Sequence, residues 1–281
     1  MDGYYFNYNG DLFPRSHPII TAGNRGFRYG DGVFETMKLR GNKIIHQQYH
    51  FERLFAGLQI LKFRLPPHLT SQYLQDTILQ LSIKNESSEF AKARLMVFRK
   101  EGTLFDHRNA EPSLIIETSS IGPNDLAFNK GLTIDIMPDV RKSCDILSRL
   151  KSNNYLPYTL GALHAAETNL DECIILNTND RVCEGTISNV FIVKNSLVFT
   201  PPLSEGCVAG TMRRRLLEDF SLPDFQFIEK PFSIDELLTA DEVFFTNAIS
   251  FIRPVKTFRE KNYPYEVSKE IFKHLLETIY Q

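Results

Sequence analysis

Residues 149–155 read RLKSNNY, and an apolar helical pattern that contains Leu160 and Leu163 follows them. A lysine amine becomes a nucleophile when a cationic neighbour or burial favours its neutral form, and Schiff-base chemistry requires such an amine. Lys151 has Arg149 as a cationic neighbour in the sequence. Most lysines beside arginines are nevertheless solvated, so this stretch taken by itself favours an ordinary surface lysine.

Two other polar segments are typical of turns that approach a ligand. Residues 184–189 read EGTISN, and residues 208–213 read VAGTMR at the start of a predicted helix. Gly210 would let the backbone come close to a ligand, and the N–H groups of the first helical turn could bind a phosphate. The alternative for this segment is an ordinary helix start with Thr211 as the N-cap residue.

The sequence also contains NRGFRYGDGVFET at residues 24–36, HFERL at residues 50–54 and TNA at residues 246–248. In their order and spacing, these segments resemble the class IV, fold-type IV pyridoxal-phosphate family. That family includes branched-chain and D-amino-acid aminotransferases, R-selective amine transaminases and aminodeoxychorismate lyases. The resemblance implies an α+β fold with two lobes, a smaller N-terminal α/β domain and a larger, barrel-like C-terminal α+β domain. The cofactor it implies is pyridoxal 5′-phosphate.

The resemblance also implies roles for individual residues. Lys151 matches the lysine that forms a Schiff base with the cofactor and moves a proton between the substrate carbon and the cofactor. Glu184 matches the carboxylate that keeps the ring nitrogen protonated, so that the ring can accept electrons. Arg53 matches the arginine that binds the phosphate, a role that suits its rigid donor fork. The other cofactor contacts that the resemblance implies are Tyr155, Asn189, Thr211, Met212, Asn247 and Ala248.

One of these positions departs from the common pattern of the family. Many transaminases have Gly-Ile-Thr-Arg, whereas residues 210–213 here read GTMR, so a thioether replaces a hydroxyl group. Met212 could then contact the phosphate only through its backbone. This variant is closer to the aminodeoxychorismate lyases.

The sequence leaves open which residue binds a substrate carboxylate. Bacterial D-amino-acid aminotransferases typically use an Arg-x-His pair after a strand, and no such pair stands before His107 in this chain. The candidate substrate-binding residues are Arg28, Phe34, Arg94, Arg99 and Arg181. We favour Arg28, because it stands beside the GDGVFE stretch, which in the family lines the active site and can reach across a dimer interface. For each arginine the alternative is an ion pair at the surface or at an interface.

The resemblance predicts a transaminase that transfers an amino group from a small amino acid of D configuration, or from an R-amine, to a 2-keto acid. The first alternative is 4-amino-4-deoxychorismate lyase, which releases pyruvate and 4-aminobenzoate and is favoured by GTMR and TNA. The second is a non-catalytic module that binds a small ligand, and the presence of both Lys151 and Glu184 argues against it. The family also implies a homodimer.

Length and composition place the chain among ordinary folded proteins. At 281 residues it is long for one hydrophobic core, so we expect two domains, residues 1–118 and 126–281, joined by a linker at residues 119–125. With 32 Lys and Arg against 34 Asp and Glu, the net charge of −2 provides no field that attracts nucleic acid. No apolar run is long enough for a membrane helix and no signal-peptide pattern is visible, so we expect a cytoplasmic protein without membrane partners.

Metal and disulfide chemistry have little support in the sequence. His46 and His50 have the i, i+4 spacing of a helical metal pair, but no Glu lies between them. We therefore expect surface or capping roles for both histidines and no metal. The four cysteines show no C-x-x-C spacing, and Cys173 lies in an apolar run like a small buried hydrophobic residue.

Hydrophobic periodicity predicts the main elements. Apolar residues at helical spacing predict helices at residues 49–61 and 68–81, with Arg53 away from the apolar stripe of the first. Further helices are predicted near residues 160–169, 211–220 and 267–280. Apolar runs predict strands at residues 4–8, 32–39, 43–45, 93–98, 113–118, 132–137, 173–177, 190–193, 197–200 and 242–246.

Overall fold

The computed structural model describes residues 4–106, 110–122, 127–128 and 130–279. The chain divides into two compact units, the first comprising Met1–Asp125 and Lys151–Asn154 and the second comprising Leu126–Leu150 and Tyr155–Gln281. Of the predicted linker, residues 123–125 lie outside the described part of the chain, whereas residues 119 and 120 continue a strand. His107 and residue 280, which appear in the predictions above, also lie outside the described residues.

The first unit is an antiparallel sheet with helices. Its strands run in the order β2-β1-β6-β5-β3-β4, and every neighbouring pair is antiparallel. The strands are β1 (Tyr5–Tyr8), β2 (Asp11–Pro14), β3 (Gly32–Arg40), β4 (Lys43–Ile44), β5 (Phe90–Arg99) and β6 (Pro112–Ser120). The helices are α1 (Arg25–Tyr29), α2 (Gln47–Ile60) and α3 (Ser71–Lys84).

The long neighbouring strands β3 and β5 present a core face and an opposite face, because successive side chains of a strand point to opposite sides. Met37 of β3 and Leu95 of β5 belong to the buried cluster that also contains Leu54 of α2. The apolar stripe predicted for this helix is therefore confirmed. The opposite face carries Phe34 of β3 and Arg94 of β5, which alternate with those core residues.

The second unit is a larger mixed sheet with helices. Its strands run in the order β12-β11-β10-β13-β14-β7-β8-β9, and β15 pairs with β14. The strands are β7 (Leu132–Lys142), β8 (Glu172–Asn177), β9 (Val182–Gly185), β10 (Asn189–Lys194), β11 (Leu197–Thr200), β12 (Gln226–Glu229), β13 (Glu242–Asn247), β14 (Phe251–Phe258) and β15 (Lys261–Asn262). The helices are α4 (Leu156–Glu167), α5 (Thr211–Glu218), α6 (Ile234–Leu238) and α7 (Glu266–Ile279).

This second sheet is curled like part of a barrel and buries side chains on both of its faces. One cluster joins Phe245 and Val255 of the sheet to Leu237 of α6. A second cluster joins Tyr158 of α4 to Cys173, which is fully buried, as predicted. The pairs β11–β12, β7–β14 and β7–β8 are parallel, and the others are antiparallel. The predicted α+β class is confirmed.

Several elements differ from the periodicity-based predictions. Helix α4 begins at Leu156 rather than near residue 160, because Pro157 lies in its first turn, where the missing N–H costs nothing. Strand β14 was not predicted, because Pro254 lies within it and proline normally argues against a strand. The remaining unpredicted elements are short: β2, β9, β12, β15, α1 and α6.

No helix in the described part of the chain is both long and apolar enough to cross a membrane. All four cysteines are free thiols, of which Cys144 is exposed and the other three are buried. Among the described residues, no group of three or more His, Cys, Asp and Glu side chains could hold a metal ion.

Candidate active site

Lys151 lies beside strand β3 in the first unit. The segment that contains it pairs with the start of that strand, since Phe34 N–H donates to the Lys151 carbonyl at 2.9 Å and Asn153 N–H donates to the Gly32 carbonyl at 3.0 Å. A side chain at Gly32 would overlap the Val97 carbonyl and the Asn153 amide. Gly32, the second glycine of the GDGVFE stretch, therefore allows the segment that contains Lys151 to lie against the sheet.

The ammonium group of Lys151 and the guanidinium group of Arg94 both contact the ring of Phe34. Lys151 Nζ is 4.4 Å from the ring centroid, and the central guanidinium carbon of Arg94 is also 4.4 Å from it. Phe34 is only 2% exposed, so the ring is fixed by its surroundings. Two cations at one aromatic ring make this face of the first sheet suitable for an anionic group.

Arg53 is held by a carboxylate in the same unit. Its Nε and Nη2 atoms donate to Glu35 at 2.8 and 2.5 Å, and His50 Nδ1 lies 2.6 Å from the same carboxylate. Burial raises the pKa of Glu35, but the Arg53 charge and the hydrogen bonds from both partners outweigh burial and lower this pKa to about 2. Burial lowers the pKa of His50, so its neutral imidazole donates to Glu35. The bidentate pair fixes the orientation of the Arg53 guanidinium group.

The surface or capping role predicted for His50 is wrong. Its side chain is fully buried, because α2 places it against Glu35 of β3. His46 occupies the N-cap position of α2, with a φ of 52° and no side-chain hydrogen bond to the helix.

The other candidate arginines have different surroundings. Arg99 donates to Asp31 at 2.5 Å in the first unit. Arg181 donates twice to Glu205 in the second unit, each time at 2.7 Å. Both are therefore in ion pairs, the alternative that the sequence left open. Arg28 is exposed, with its guanidinium carbon 5.3 Å from the ring centroid of Tyr29.

Glu184 lies at the end of β9 in the second unit and is 3% exposed. Its Oε1 atom accepts hydrogen bonds from Lys142 Nζ and, at 2.7 Å, from the Tyr158 hydroxyl. Its Oε2 atom accepts from Val208 N–H at 2.8 Å. The ring of Tyr155 packs against Tyr158 with a centroid distance of 4.6 Å. The carboxylate thus accepts hydrogen bonds from a lysine, a tyrosine and a backbone N–H group within the second unit.

The start of α5 lies beside Asn189, at the beginning of β10. Gly210 is the N-cap residue of α5, so the alternative of an N-cap at Thr211 is wrong. A side chain at Gly210 would overlap the Asn189 side chain, which explains the glycine. Asn189 also lies opposite Thr246 of β13. Met212 follows Thr211 in the first turn of α5 and is 1% exposed.

The turn after β13 is shaped by Asn247. Its side-chain oxygen accepts hydrogen bonds from Ile249 N–H at 3.0 Å and from Ser250 N–H at 2.8 Å, and Ala248 lies within this turn. The Thr246 hydroxyl is buried and has no hydrogen-bond partner among the described residues. The second unit thus brings the backbone N–H groups at the start of α5 close to Asn189 and to Thr246 at the end of β13.

Comparisons with known proteins identify the family. Residues 32–258 match the family model of amino-transferase class IV. The chain belongs to the class IV aminotransferases. It is 30% identical to an aminodeoxychorismate lyase of Vibrio harveyi over 86% of this chain and 88% of that protein. It is 29% identical to a putative branched-chain-amino-acid aminotransferase of Methanocaldococcus jannaschii over 88% of this chain and 85% of that protein.

Solved structures of this class share the fold. A branched-chain aminotransferase of Thermoproteus uzoniensis aligns with a TM-score of 0.89 at 23% identity, over 98% of this chain and 94% of that chain. The 4-amino-4-deoxychorismate lyase of Pseudomonas aeruginosa aligns with a TM-score of 0.82 at 27% identity, over 98% of this chain and 99% of that chain. The predicted fold-type IV architecture is therefore confirmed.

The cofactor of this class IV aminotransferase is pyridoxal 5′-phosphate, as predicted. The residues within each unit fit the chemistry of this group. The first unit offers the amine of Lys151 and the oriented guanidinium group of Arg53. The second offers the Glu184 carboxylate, together with a helix start beside Asn189 and the buried Thr246 hydroxyl, which has no partner within the described ranges.

Four residues around these groups were not predicted to lie there: Glu35, His50, Lys142 and Tyr158. A signal existed for the first two, because Glu35 lies two residues from the core residues Val33 and Met37, on the same face of β3, and His50 lies one helical turn before Arg53. Nothing in the local sequence distinguishes Lys142 or Tyr158, since their common partner Glu184 is distant along the chain.

Proposed function

We propose that this class IV aminotransferase transfers the amino group of a small amino acid to a 2-keto acid, with Lys151 as the nucleophile. The observation that carries the proposal is the pair of cations on Phe34, where an amine and a guanidinium group share one ring. An amino acid substrate needs both a group that exchanges its nitrogen and a group that binds its carboxylate.

The other residues have the following proposed roles. Pyridoxal phosphate supplies an aldehyde that bonds to an amine and a ring that accepts electrons. Lys151 provides the amine and holds the proton that moves at the substrate carbon. Glu184 accepts the hydrogen bond of the ring nitrogen. Arg53 and the backbone of Thr211, Met212, Asn247 and Ala248 bind the phosphate, and Tyr155 and Asn189 contact the edge of the cofactor.

Arg94 replaces Arg28 as our candidate for binding the substrate carboxylate. Arg99 and Arg181 are in ion pairs with Asp31 and Glu205, and the guanidinium group of Arg28 lies over the ring of its neighbour Tyr29. Arg94 contacts the same ring as Lys151 within the first unit. This choice favours an amino acid over a simple R-amine, because an amine without a carboxylate gains no charge-assisted hydrogen bond from the guanidinium group.

The second candidate function is 4-amino-4-deoxychorismate lyase. The residues that favour it are Met212, Asn247 and Ala248, and the lyase of Vibrio harveyi is 30% identical to this chain. Electron withdrawal at the substrate carbon serves transfer and elimination alike, so the same amine and carboxylate suit both reactions.

The configuration of the amino acid is proposed to be D. A D-alanine aminotransferase of Staphylococcus aureus is 26% identical to this chain, over 88% of this chain and 86% of that protein. Branched-chain aminotransferases are related to a similar degree, so the test must include both enantiomers.

A spectroscopic panel tests the proposal. The holoenzyme is mixed separately with D-alanine, D-glutamate, their L enantiomers and an R-amine, and the visible band of the bound cofactor is followed. We expect D-alanine or D-glutamate to bleach this band and to yield pyridoxamine 5′-phosphate and the corresponding keto acid. The Lys151→Ala variant should fold normally and show no turnover. Absence of any spectral change with every amine and amino acid would contradict transamination.

The same preparation distinguishes the lyase. Incubation with 4-amino-4-deoxychorismate would release pyruvate and 4-aminobenzoate from a lyase, and chromatography detects the aromatic product. Formation of 4-aminobenzoate without bleaching by amino acids would favour the second candidate over the first.

We also propose that the protein is a homodimer. In the second unit, Leu156, Leu160 and Leu163 lie on one face of α4 and are 74%, 47% and 54% exposed. Gly161 of the same helix packs on Thr186, and the neighbouring Ile187 is 54% exposed. A second copy of this chain would cover this apolar surface, which monomers rarely leave in water.

A further inference from the structure

Lys142 is a buried lysine that no part of the proposed chemistry uses. It is the last residue of β7 and follows an irregular stretch in the pairing of β7 with β8, between Ile136 and Arg141. Such irregularities redirect side chains and are common beside active sites. Lys142 is 7% exposed, and its position faces the end of β9 rather than solvent.

The ammonium group of Lys142 is fully hydrogen-bonded. Its three donors match three acceptors: the Ser148 carbonyl at 3.1 Å, the Tyr158 hydroxyl at 2.6 Å and Glu184 Oε1. The Tyr158 hydroxyl in turn donates to the same carboxylate oxygen at 2.7 Å. A buried ammonium group is tolerated when its charge is paired and each of its donors has a partner.

This arrangement uses the two oxygens of Glu184 unequally. Oε1 accepts from both Lys142 and Tyr158, which occupies its two acceptor positions. Oε2 accepts from Val208 N–H and, among the described residues, has no second donor. Glu184 Oε2 therefore has one acceptor position left, and one position is what a single ring N–H donor requires.

The positive charge that lies beside Glu184 belongs to Lys142. The other titratable groups that face it are Tyr158 of α4, Cys183 of β9 and Cys207. Burial raises the pKa of Tyr158 and of Cys183 well above the usual range, and it raises the pKa of Cys207 to about 12. These three groups stay neutral, so the ion pair with Lys142 supplies the positive charge that opposes the carboxylate.

We propose that Lys142 is a positioning residue that pairs its charge with the Glu184 carboxylate at Oε1 and so directs the Oε2 atom to the ring nitrogen of pyridoxal phosphate. This inference rests on the proposed role of Glu184 as the partner of that nitrogen. Without the lysine, burial favours the neutral carboxylic acid, which takes up a proton as the pH falls. A neutral acid cannot balance the charge of a protonated ring nitrogen, so cofactor binding becomes dependent on pH.

Binding of pyridoxamine 5′-phosphate to the apoenzyme tests this role. This ligand forms no covalent bond with Lys151, so the pH dependence of that bond does not enter. The dissociation constant is measured for Lys142→Met and for the parent at about pH 6 and about pH 8.5, which span the range in which an unpaired buried carboxyl group titrates. We expect the dissociation constant of the variant, divided by that of the parent, to be at least about tenfold larger at the lower pH than at the higher one. A tenfold difference corresponds to one pKa unit.

Two matched variants separate charge from packing. Lys142→Arg keeps the cation. Its dissociation constant should lie within about threefold of the parent value at both pH values, a difference that corresponds to about half a pKa unit. Lys230→Met removes a lysine from an exposed ion pair with Glu236 and should leave the ratio independent of pH.

A cofactor analogue in which carbon replaces the ring nitrogen provides the decisive control. Because this analogue has no ring nitrogen to be protonated, the ratio of the Lys142→Met dissociation constant to that of the parent should be the same at both pH values. A loss that is equal at both pH values, or equal for the two ligands, would show a purely structural lysine and overturn the inference. Unchanged binding of pyridoxamine 5′-phosphate would overturn it as well.

A Lys142→Met protein that fails to fold does not end the test. Tyr158→Phe retains the ring and removes one of the two donors to Oε1. It should show the same pH-dependent weakening to a smaller extent, and a ratio independent of pH contradicts the inference. The proposed function fails separately, when the coloured parent enzyme does not respond to amines or amino acids.

Discussion

Phe34 is the residue whose ring contacts both Arg94 and Lys151. Its ring is buried, and each cation lies 4.4 Å from the ring centroid. Such contacts contribute about 0.5–2 kcal/mol each, depending on desolvation. An anionic substrate group would add charge-assisted hydrogen bonds with the Arg94 guanidinium group.

Arg94→Met should therefore weaken the binding of carboxylate substrates. We expect KM for amino acids to rise about tenfold to hundredfold, the equivalent of about 1.5–3 kcal/mol for hydrogen bonds to a charged group. KM for an amine without a carboxylate should change little. Steady-state kinetics on matched amino acid and amine pairs measure both values.

Arg28→Met is the matched control, because it removes an exposed arginine from the same unit. A larger effect of this control would return the role to Arg28, the residue that the sequence favoured. An equal rise in KM for acids and amines would argue against carboxylate binding by Arg94.

At the level of elements, Glu35 joins β3 to α2. It accepts hydrogen bonds from both His50 and Arg53, which lie one helical turn apart on the helix. A buried carboxylate with two such partners is costly to protonate. The position of α2 on the sheet, and with it the orientation of Arg53, therefore depends on the ionised state of Glu35.

This dependence predicts the acid sensitivity of the protein. The pKa of Glu35 falls from its usual 4.5 to about 2 on folding, so its contribution to stability is present above about pH 4.5 and is lost as the pH falls toward 2. The loss is on the order of 3 kcal/mol. Glu35→Gln should be less stable near neutral pH and should show a flatter pH dependence in this window.

Urea unfolding at a series of pH values measures the effect. Glu111→Gln serves as the control, since Glu111 is in an exposed ion pair with Arg64 and should leave the profile unchanged. A Glu35→Gln profile that parallels the parent between about pH 4.5 and 2 would be incompatible with this role.

For the whole molecule, the proposed dimer surface on the second unit gives the testable consequence. A homodimer should have about twice the 32.4 kDa mass of one chain by light scattering. Leu160→Glu combined with Leu163→Glu should shift the protein to the monomer mass, because two charges on a buried apolar face are costly to desolvate.

Ile83→Glu is the control for this change, since Ile83 of α3 in the first unit is similarly exposed at 58%. It should leave the mass unchanged. A parent protein of monomer mass at micromolar concentration, or an equal effect of the control, would refute the proposed surface.

The amino-acid sequence by itself determined the main elements and the family. Helix α2 repeats apolar residues at helical spacing and strand β3 contains an apolar run, and these local patterns suffice to predict each element. The motifs around Lys151 and Glu184 predicted the class IV family and its cofactor, because each retains residue types that the chemistry requires. The domain limits at residues 118 and 126 and the D configuration stay predictions.

Only the tertiary structure decided which side chains surround these motif residues. Lys142 and Glu184 are 42 residues apart, and Arg53 and Glu35 are 18 apart, so no local pattern relates them. Strand register and the irregular pairing of β7 bring Lys142 to Glu184, and the packing of α2 brings Arg53 to Glu35. Local periodicity reports which face of an element is buried, whereas the partner of a buried charge depends on which elements meet there.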